Sequence, residues 1–329
     1  MVVQRSVTLS TKIIMDVDTG TDDAVAIMTA ALSPEIDLLG ITTVNGNCPV
    51  EICTENTLRV VDHIGAKIPV YHGCSLPLSA TLTPGRKPNI PAIEPHTIHG
   101  HYLDLPAASS KKQGVTAVEW LINTYLESDG DISLVPVGPL TNVAMAIRQA
   151  PEILDKIPEI VIMGGGHHAA NVTSSAEFNI WVDPEAARVV MNCGRPIRLV
   201  TLDATHEALF TMETCDSLRK IGTPAAVCAA AFAEVRISAY DKMQPMASAG
   251  SAPIHDALAV CAIIKPEVMS TVYAHVDVET MGELTDGRTV VDIDRSGDRG
   301  RLPPNAHVGL HADEEMFVEM MLDILSNKI

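Results

Sequence analysis

Residues 13–28 read IIMDVDTGTDDAVAIM, so two apolar runs flank a short polar segment that contains four carboxylates. The first run, residues 13–15, predicts a short buried strand, and the second, residues 24–28, predicts the start of a helix. Gly20 would supply the bend between them, and Thr21 or Asp22 would serve as the helix N-cap. A strand that passes directly into a helix in this way is typical of an α/β fold.

The four carboxylates belong to Asp16, Asp18, Asp22 and Asp23. They follow the predicted strand, and open α/β sheets bind their ligands at the carboxyl ends of strands. Close negative charges repel each other, so either some of these groups take up protons or a cation neutralises them. Oxygen-only donors favour a hard cation, Ca²⁺ or Mg²⁺. The alternative is an acidic loop that only caps the helix and holds no ion.

Strand-like apolar runs alternate with helical patterns along most of the 329 residues. This alternation predicts parallel β-α-β units, with helices on both faces of a mainly parallel central sheet. No linker or low-complexity stretch divides the chain, so we expect residues 1–329 to form a single α/β domain. Residues 274–310 are β-rich with turns, and we expect a small local hairpin there.

The composition restricts the classes of partner. A net charge of −18 argues against nucleic acid and against anionic membranes. No stretch approaches the roughly 20 apolar residues of a membrane span, and the N-terminus lacks a signal-peptide pattern, so a cytoplasmic protein is expected. The 7 cysteines are scattered without a Cys-x-x-Cys pair, which suits reduced thiols and makes zinc unlikely.

Three further segments place polar residues after apolar runs. Residues 42–47 end in Asn45-Gly46-Asn47, and the residues alone leave Asn45 open between a sugar contact and a simple Asn-Gly turn. Residues 137–142, Val-Gly-Pro-Leu-Thr-Asn, would be just a loop, with Thr141 as a possible N-cap. The last segment, His255-Asp256, precedes an apolar helical run and on its own could be only a helix start.

These segments together resemble the inosine-uridine preferring nucleoside hydrolases. The family fingerprint Asp-x-Asp-x-Gly-x-Asp-Asp-Ala stands here at residues 16–24, and the resemblance extends in order to about residue 292. It implies a Rossmann-like nucleoside hydrolase fold that binds one Ca²⁺ and hydrolyses the N-glycosidic bond of ribonucleosides. It also implies a homodimer or homotetramer.

The resemblance assigns roles residue by residue. The Ca²⁺ ligands would be the side chains of Asp18, Asp23 and Asp256 and the backbone carbonyl of Val137. Asp18 would also take the proton of the attacking water, and His255 would protonate the leaving base. The remaining candidates are substrate contacts: Asp22, Asn47, Met163, Asn171, Glu177, Phe178, Asn179 and His99.

One departure from the family concerns the segment before His255. The family has a Tyr-rich helix there, whereas residues 239–244 contain a single aromatic residue, Tyr240. The sequence therefore does not fix the preferred base. It also assigns no role to four histidines outside the matched motifs: His96, His101, His167 and His168.

Three other classes of protein were weighed. A haloacid-dehalogenase-type phosphatase also begins with Asp-x-Asp after a strand, but Gly20 stands where that family has Thr or Val. An EF-hand calcium module would need a ligand at Gly20, Gly at Thr21 and Glu at Ile27. A nucleoside-binding protein that has lost catalysis is disfavoured because Asp18 and His255 are both present.

Overall fold

The computed structural model describes residues 10–79, 101–293 and 302–329. Its strands are β1 (Thr11–Val17), β2 (Ile36–Thr43), β3 (Val70–His72), β4 (Ile132–Pro136), β5 (Ile160–Met163), β6 (Ile197–Val200), β7 (Leu209–Thr211), β8 (Ser251–Pro253), β9 (Met269–Val278), β10 (Thr289–Asp292) and β11 (Ala306–Ala312). Its helices are α1 (Thr21–Leu32), α2 (Val50–His63), α3 (Ala117–Glu127), α4 (Thr141–Gln149), α5 (Phe178–Val182), α6 (Pro184–Met191), α7 (Leu202–Thr205), α8 (Met212–Ile221), α9 (Pro224–Met243), α10 (His255–Ile264) and α11 (Glu314–Leu325). Two short 3₁₀ helices span Pro151–Lys156 and Pro266–Val268.

The main sheet has the strand order β10-β9-β11-β6-β5-β4-β1-β2-β3 in the described part of the chain. Strands β1 to β6 and β11 pair in parallel, which confirms the predicted mainly parallel sheet flanked by helices. The chain order runs outward in opposite directions from β1 and β4. Such a switch point opens a crevice at the carboxyl ends of the two strands.

The core lies on both faces of the sheet because side chains alternate along each strand. In β1, Ile13, Met15 and Val17 join one buried cluster, whereas Ile14 joins the other. The near-continuous apolar run of β1 is therefore the pattern of a strand that is covered on both faces.

Asp16 fastens the carboxyl end of β1 to its neighbours. Its side chain is fully buried, and one carboxylate oxygen accepts hydrogen bonds from Thr42 Oγ1 at 2.6 Å and Asn142 Nδ2 at 2.7 Å. Burial raises the pKa of Asp16 to about 7, although these two hydrogen bonds oppose the rise. Asp16 thus joins β1, β2 and α4 at the start of the acidic loop.

The structure corrects three local predictions. Residues 274–310 do not form only a local hairpin: β9 pairs antiparallel with both β10 and β11, and β11 also pairs with β6, so this region extends the main sheet. The N-cap of α1 is Gly20, not Thr21 or Asp22, and Thr141 is the first residue of α4, not its cap. The first prediction fails because the strand partner of β11 is distant in sequence. Thr141 lies inside α4, where its Oγ1 donates a hydrogen bond to Asp183 Oδ2 at 2.7 Å.

Two other features of the described residues bear on the sequence-based expectations. No helix there combines the length and apolar character that crossing a membrane requires. All seven cysteines are free thiols.

We predict that Tyr125→Phe stabilises the protein. Tyr125 is fully buried in α3, and its hydroxyl has no hydrogen-bond partner among the described residues. An unsatisfied buried hydroxyl costs about 1–3 kcal/mol, so its removal should raise the thermal unfolding midpoint by about 1–3 °C. Tyr102→Phe, at an exposed tyrosine, is the matched control and should leave the midpoint unchanged. A lower unfolding midpoint for Tyr125→Phe would show that the hydroxyl of Tyr125 is hydrogen-bonded after all.

Candidate active site

A cavity of about 560 Å³ opens at the carboxyl edge of the sheet, beside the β1/β4 switch point. This volume lies in the range of small-ligand pockets. Residues from seven separate stretches of the chain line it: Asp18, Asp22, Asn47, Val137, Met163, Ala170, Asn171, Val172, Glu177, Phe178, Asn179, Arg236, Tyr240, Met243, Gln244, His255 and Asp256. The fold therefore brings most of the residues singled out from the sequence into one cavity.

The carboxylate of Asp18 lies in a space that two glycines leave open, and a backbone N–H group orients it. A Cβ atom on Gly46 would collide with Asp18 Oδ2, and one on Gly138 would lie 2.8 Å from Asp18 Oδ1. The backbone N–H of Asn47 donates to Asp18 Oδ2 at 2.6 Å. Burial, followed by the charge of Asp23, raises the pKa of Asp18 well above its ordinary value.

Asp23 is held from the opposite side by the bend before α1. Its carboxylate accepts the backbone N–H groups of Asp18 at 3.1 Å and Gly20 at 2.9 Å, so it closes the loop as well as facing the cluster. Ligand atoms of Asp22, Asp23 and Asp256 lie within 4.8 Å of one another. Burial, and then the charge of Asp22, raises the pKa values of Asp23, to about 7, and of Asp256.

This donor set fits a hard divalent cation. Asp18, Asp22, Asp23 and Asp256 are all buried, and their repulsion is what a positive ion would relieve. The carbonyl of Val137 accepts the side-chain amide of Asn179 at 2.7 Å, and both residues line the cavity. A carbonyl oxygen has two lone pairs and can still coordinate an ion.

Glu177 is the N-cap of the short helix α5. Its carboxylate accepts the N–H groups of Gly165 at 2.9 Å, Asn179 at 2.9 Å and Ile180 at 3.2 Å. Burial raises the pKa of Glu177 to about 7 in spite of these hydrogen bonds. Asn171 Oδ1 accepts the N–H of Phe178 at 2.9 Å, which fastens the preceding loop to the same helix. These side chains form a polar end of the cavity with fixed orientations.

His255 lies between two hydroxyl groups. Its Nδ1 is 2.7 Å from Thr205 Oγ1, and its Nε2 is 2.7 Å from the hydroxyl of Tyr240. The imidazole is buried, and Tyr240 lines the cavity beside it. The ring is thus fixed at both nitrogens, and Tyr240 gives it a hydrogen-bonded connection to the cavity.

Helix α9 supplies residues that the sequence reasoning missed. Arg236 pairs with Asp22 at 2.9 Å, and Met243 and Gln244 line the outer part of the cavity. Burial opposes the charge of Arg236, but the nearby carboxylates, Asp22 first, raise its pKa overall. The available signal was a single arginine in an Ala-rich apolar run, which predicts a buried ion pair but not its partner.

Several candidates lie elsewhere. His99 and His96 fall outside the described residues, and His101 is exposed. His167 and His168 donate their backbone N–H groups to Asp203 and do not line the cavity. Asn45 is fully buried behind the cavity wall and does not line it either.

The chain and its carboxylate-lined cavity match a known family of enzymes, the nucleoside hydrolases. The family model "Inosine-uridine preferring nucleoside hydrolase" matches residues 13–319. The chain belongs to this family.

Individual members of the family are similar to this chain over nearly its whole length. The chain is 39% identical to the inosine-uridine preferring nucleoside hydrolase of Leishmania major, over 95% of this chain and 97% of that protein. It is also 39% identical to the pyrimidine-specific ribonucleoside hydrolase RihB of Escherichia coli, over 93% and 94% of the two chains. A solved structure, the purine-preferring ribonucleoside hydrolase from Gardnerella vaginalis, superposes with a TM-score of 0.85 at 31% identity, covering 96% of this chain and 98% of that one.

We predict that Gly46→Ala disables the site without unfolding the protein. The added Cβ would displace the carboxylate of Asp18, and a misplacement of about 1 Å can reduce a rate by about 10²-fold. The measurement is kcat/KM for ribose release from a nucleoside, together with circular dichroism. Gly114→Ala is the matched control, because a Cβ at Gly114 meets no atom within 4 Å. Full activity in Gly46→Ala would show that Asp18 does not need this position.

Proposed function

We propose that this chain hydrolyses the N-glycosidic bond of ribonucleosides to free base and ribose in the cavity beside the β1/β4 switch point. Membership of the nucleoside hydrolase family supports the reaction class. The observation that carries the proposal is that one cavity contains the buried aspartates, the fixed Glu177–Asn179 end and the hydrogen-bonded His255. An N-glycoside needs three groups of this kind: a base for water, a holder for the sugar and an acid for the leaving group.

The proposed metal is Ca²⁺, held by Asp18, Asp23, Asp256 and the carbonyl of Val137. Ligand atoms of Asp23 and Asp256 lie within 4.8 Å of each other, which supports their part in this oxygen-only set. Asp18, which is buried and donates its backbone N–H to Asp23, is included because of the family resemblance. When bound, such a cation lowers the pKa of a coordinated water. Asp18 is the proposed proton acceptor, because its carboxylate faces the cavity and its orientation is fixed by Gly46 and by the N–H of Asn47.

The sugar is proposed to lie between the aspartates and α5. Asp22 and Asn47 would contact ribose hydroxyls at one end, and Asn171, Glu177 and Asn179 at the other. Glu177 favours a neutral sugar over a phosphorylated one, since a buried carboxyl near pKa 7 would repel a phosphate when ionised. Met163 would also contact the sugar, since it lines the cavity and its sulfur lies 3.5 Å from Asn179 Nδ2.

The leaving base is proposed to receive its proton from the His255–Tyr240 pair. Because Nε2 of His255 is hydrogen-bonded to Tyr240, a proton on the imidazole reaches the cavity through the tyrosine hydroxyl. Burial raises the pKa of Tyr240 to about 12, so this hydroxyl stays protonated at neutral pH and can pass a proton on. Thr205 fixes the orientation of the ring from its other nitrogen.

The base itself would lie against Phe178, Val172, Met243 and Gln244 at the outer end of the cavity. The related proteins bear names that specify inosine-uridine, pyrimidine or purine preference, so family membership does not assign the base. The homodimer or homotetramer and the cytoplasmic location stay predictions.

The test of the proposed function is release of free ribose from a panel of inosine, guanosine, adenosine, uridine and cytidine. We expect ribose from at least one nucleoside, about one Ca²⁺ per chain in metal analysis of the purified protein, and loss of activity on chelation that Ca²⁺ restores. Stoichiometric zinc, or full activity after removal of divalent metal, would contradict the metal assignment. Absence of ribose from every nucleoside would contradict the reaction.

We predict that His255→Ala reduces hydrolysis of inosine far more than hydrolysis of p-nitrophenyl riboside. The water, metal and sugar contacts are common to both substrates, but p-nitrophenolate leaves without a proton. The loss on inosine should be about 10²–10⁴-fold, as for removal of a general acid. Tyr240→Phe should show the same substrate dependence, because it removes the hydroxyl between His255 and the cavity.

Two controls accompany this comparison. Tyr125→Phe alters a buried tyrosine in α3 that does not line the cavity, and it should change neither rate. The bound Ca²⁺ of each variant is measured first, since His255 adjoins Asp256. Equal losses on both substrates with Ca²⁺ intact would show that His255 positions the sugar instead of donating a proton.

A further inference from the structure

Arg236 is a buried cation in the wall of a cavity that is also lined by the carboxylates of Asp18, Asp22, Glu177 and Asp256. Its side chain is 2% exposed, and its guanidinium lies 2.9 Å from Asp22 Oδ1, whose own side chain is 9% exposed. Arg236 Nε donates to the carbonyl of Pro253 at 3.0 Å, and Nη1 donates to Thr21 Oγ1 at 3.3 Å. Contacts to α1 and to the segment just before α10 therefore fix this guanidinium in one place.

Asp22 has two competing uses. Its carboxylate lies within 4.8 Å of ligand atoms of Asp23 and Asp256, so by distance alone all three could coordinate one ion. Asp22 also lines the cavity, where it can accept a hydrogen bond from a sugar hydroxyl. A carboxylate drawn into a cation's coordination shell has fewer lone pairs left for the sugar.

The guanidinium distinguishes Asp22 from its two neighbours. Asp23 is held by backbone N–H groups of Asp18 and Gly20, which leave it facing the cluster. Asp22 instead forms an ion pair with a cation that is anchored on a different helix. Because both partners are buried, the attraction is only weakly screened, and it also offsets the charge that would draw Asp22 toward a metal ion.

We propose that Arg236 is a positioning residue that assigns Asp22 to the sugar hydroxyls and keeps this carboxylate out of the cation's coordination shell. The inference rests on the proposed function and concerns the division of labour among its acidic residues. Arg236 does not contact the reacting atoms in this account; it acts through Asp22.

The proposal gives two effects of opposite sign for Arg236→Met. Without the guanidinium, Asp22 loses the ion pair that draws it away from the ion, and a positive charge near the ion is lost. The holoenzyme should then release its divalent cation to a chelator about tenfold more slowly. The same change should raise the KM for the nucleoside about tenfold, since the sugar loses an oriented acceptor. A lesion that merely loosened the site would speed metal release while it raised KM.

Arg198→Met is the matched control. Arg198 also pairs with a carboxylate, Glu159 at 2.9 Å, and is largely buried, but it lies on β6 and does not line the cavity. It should change neither the metal release rate nor KM. Arg236→Lys is the second variant if Arg236→Met fails to fold: it keeps the charge, so it should retain wild-type metal release and raise KM by about threefold, less than the tenfold expected without the charge.

A double-mutant cycle tests whether Arg236 acts through Asp22. Asp22→Asn alone should raise KM, and adding Arg236→Met to it should raise KM no further, because the group on which the arginine acts has already lost its charge. Independent, multiplying losses would overturn the proposal. Faster metal release in Arg236→Met, or an unchanged KM in both Arg236 variants, would overturn it as well.

Failure of this inference can be distinguished from failure of the proposed function. Suppose that the wild-type protein releases ribose and holds a divalent cation, but the Arg236 variants release the cation faster and have a higher KM. In that case only the role of Arg236 is wrong. If the wild-type protein releases no ribose from any nucleoside, the reaction itself is wrong, whatever the variants do.

Discussion

Repulsion among buried carboxylates is the constraint on which the rest of this structure depends. Asp18, Asp22, Asp23 and Asp256 lie together almost without exposure to water, and burial raises the pKa values of Asp18, Asp23 and Asp256. Such a cluster is unfavourable in isolation. The fold offsets it with backbone N–H groups, with the guanidinium of Arg236, and with a geometry that fits a divalent cation. The instability is local, and it is what makes this edge of the sheet a place for ligands.

The parallel sheet makes that arrangement possible. At the switch point between β1 and β4, the chain leaves the two strands in opposite directions, so a crevice forms where Asp18 and Val137 emerge. Gly46 and Gly138 lie close to Asp18, and a Cβ atom at either position would occupy the space of its carboxylate. The strand order therefore creates the crevice. The two glycines leave room in it for the carboxylate of Asp18, the proposed base, and the N–H of Asn47 orients that carboxylate.

On the side of the cavity near His255, the important contacts come from one long helix, α9. Helix α9 contributes Tyr240 and Arg236 one turn apart, with the guanidinium 5.5 Å from the centre of the tyrosine ring. One residue contacts His255 and the other contacts Asp22, so a single helix is connected to both the proposed acid and the carboxylate proposed to bind the sugar. The last residue of the helix, Met243, and the next residue, Gln244, line the same cavity.

The sequence by itself determined the α/β class, the strand–loop–helix at residues 13–28 and most of the residues around the cavity, because those signals are local: apolar period, turn residues and a dense acidic motif matched to a family. Only the tertiary structure decided that β11 joins β6, that Gly20 caps α1, and that Arg236 pairs with Asp22 and Tyr240 with His255. Arg236 is 214 positions from Asp22 in the chain (236 minus 22), and no local pattern encodes such a partner. The sequence shows which chemical group each residue carries. The contacts between these groups, such as Arg236 with Asp22 and Tyr240 with His255, arise from packing between distant segments of the chain.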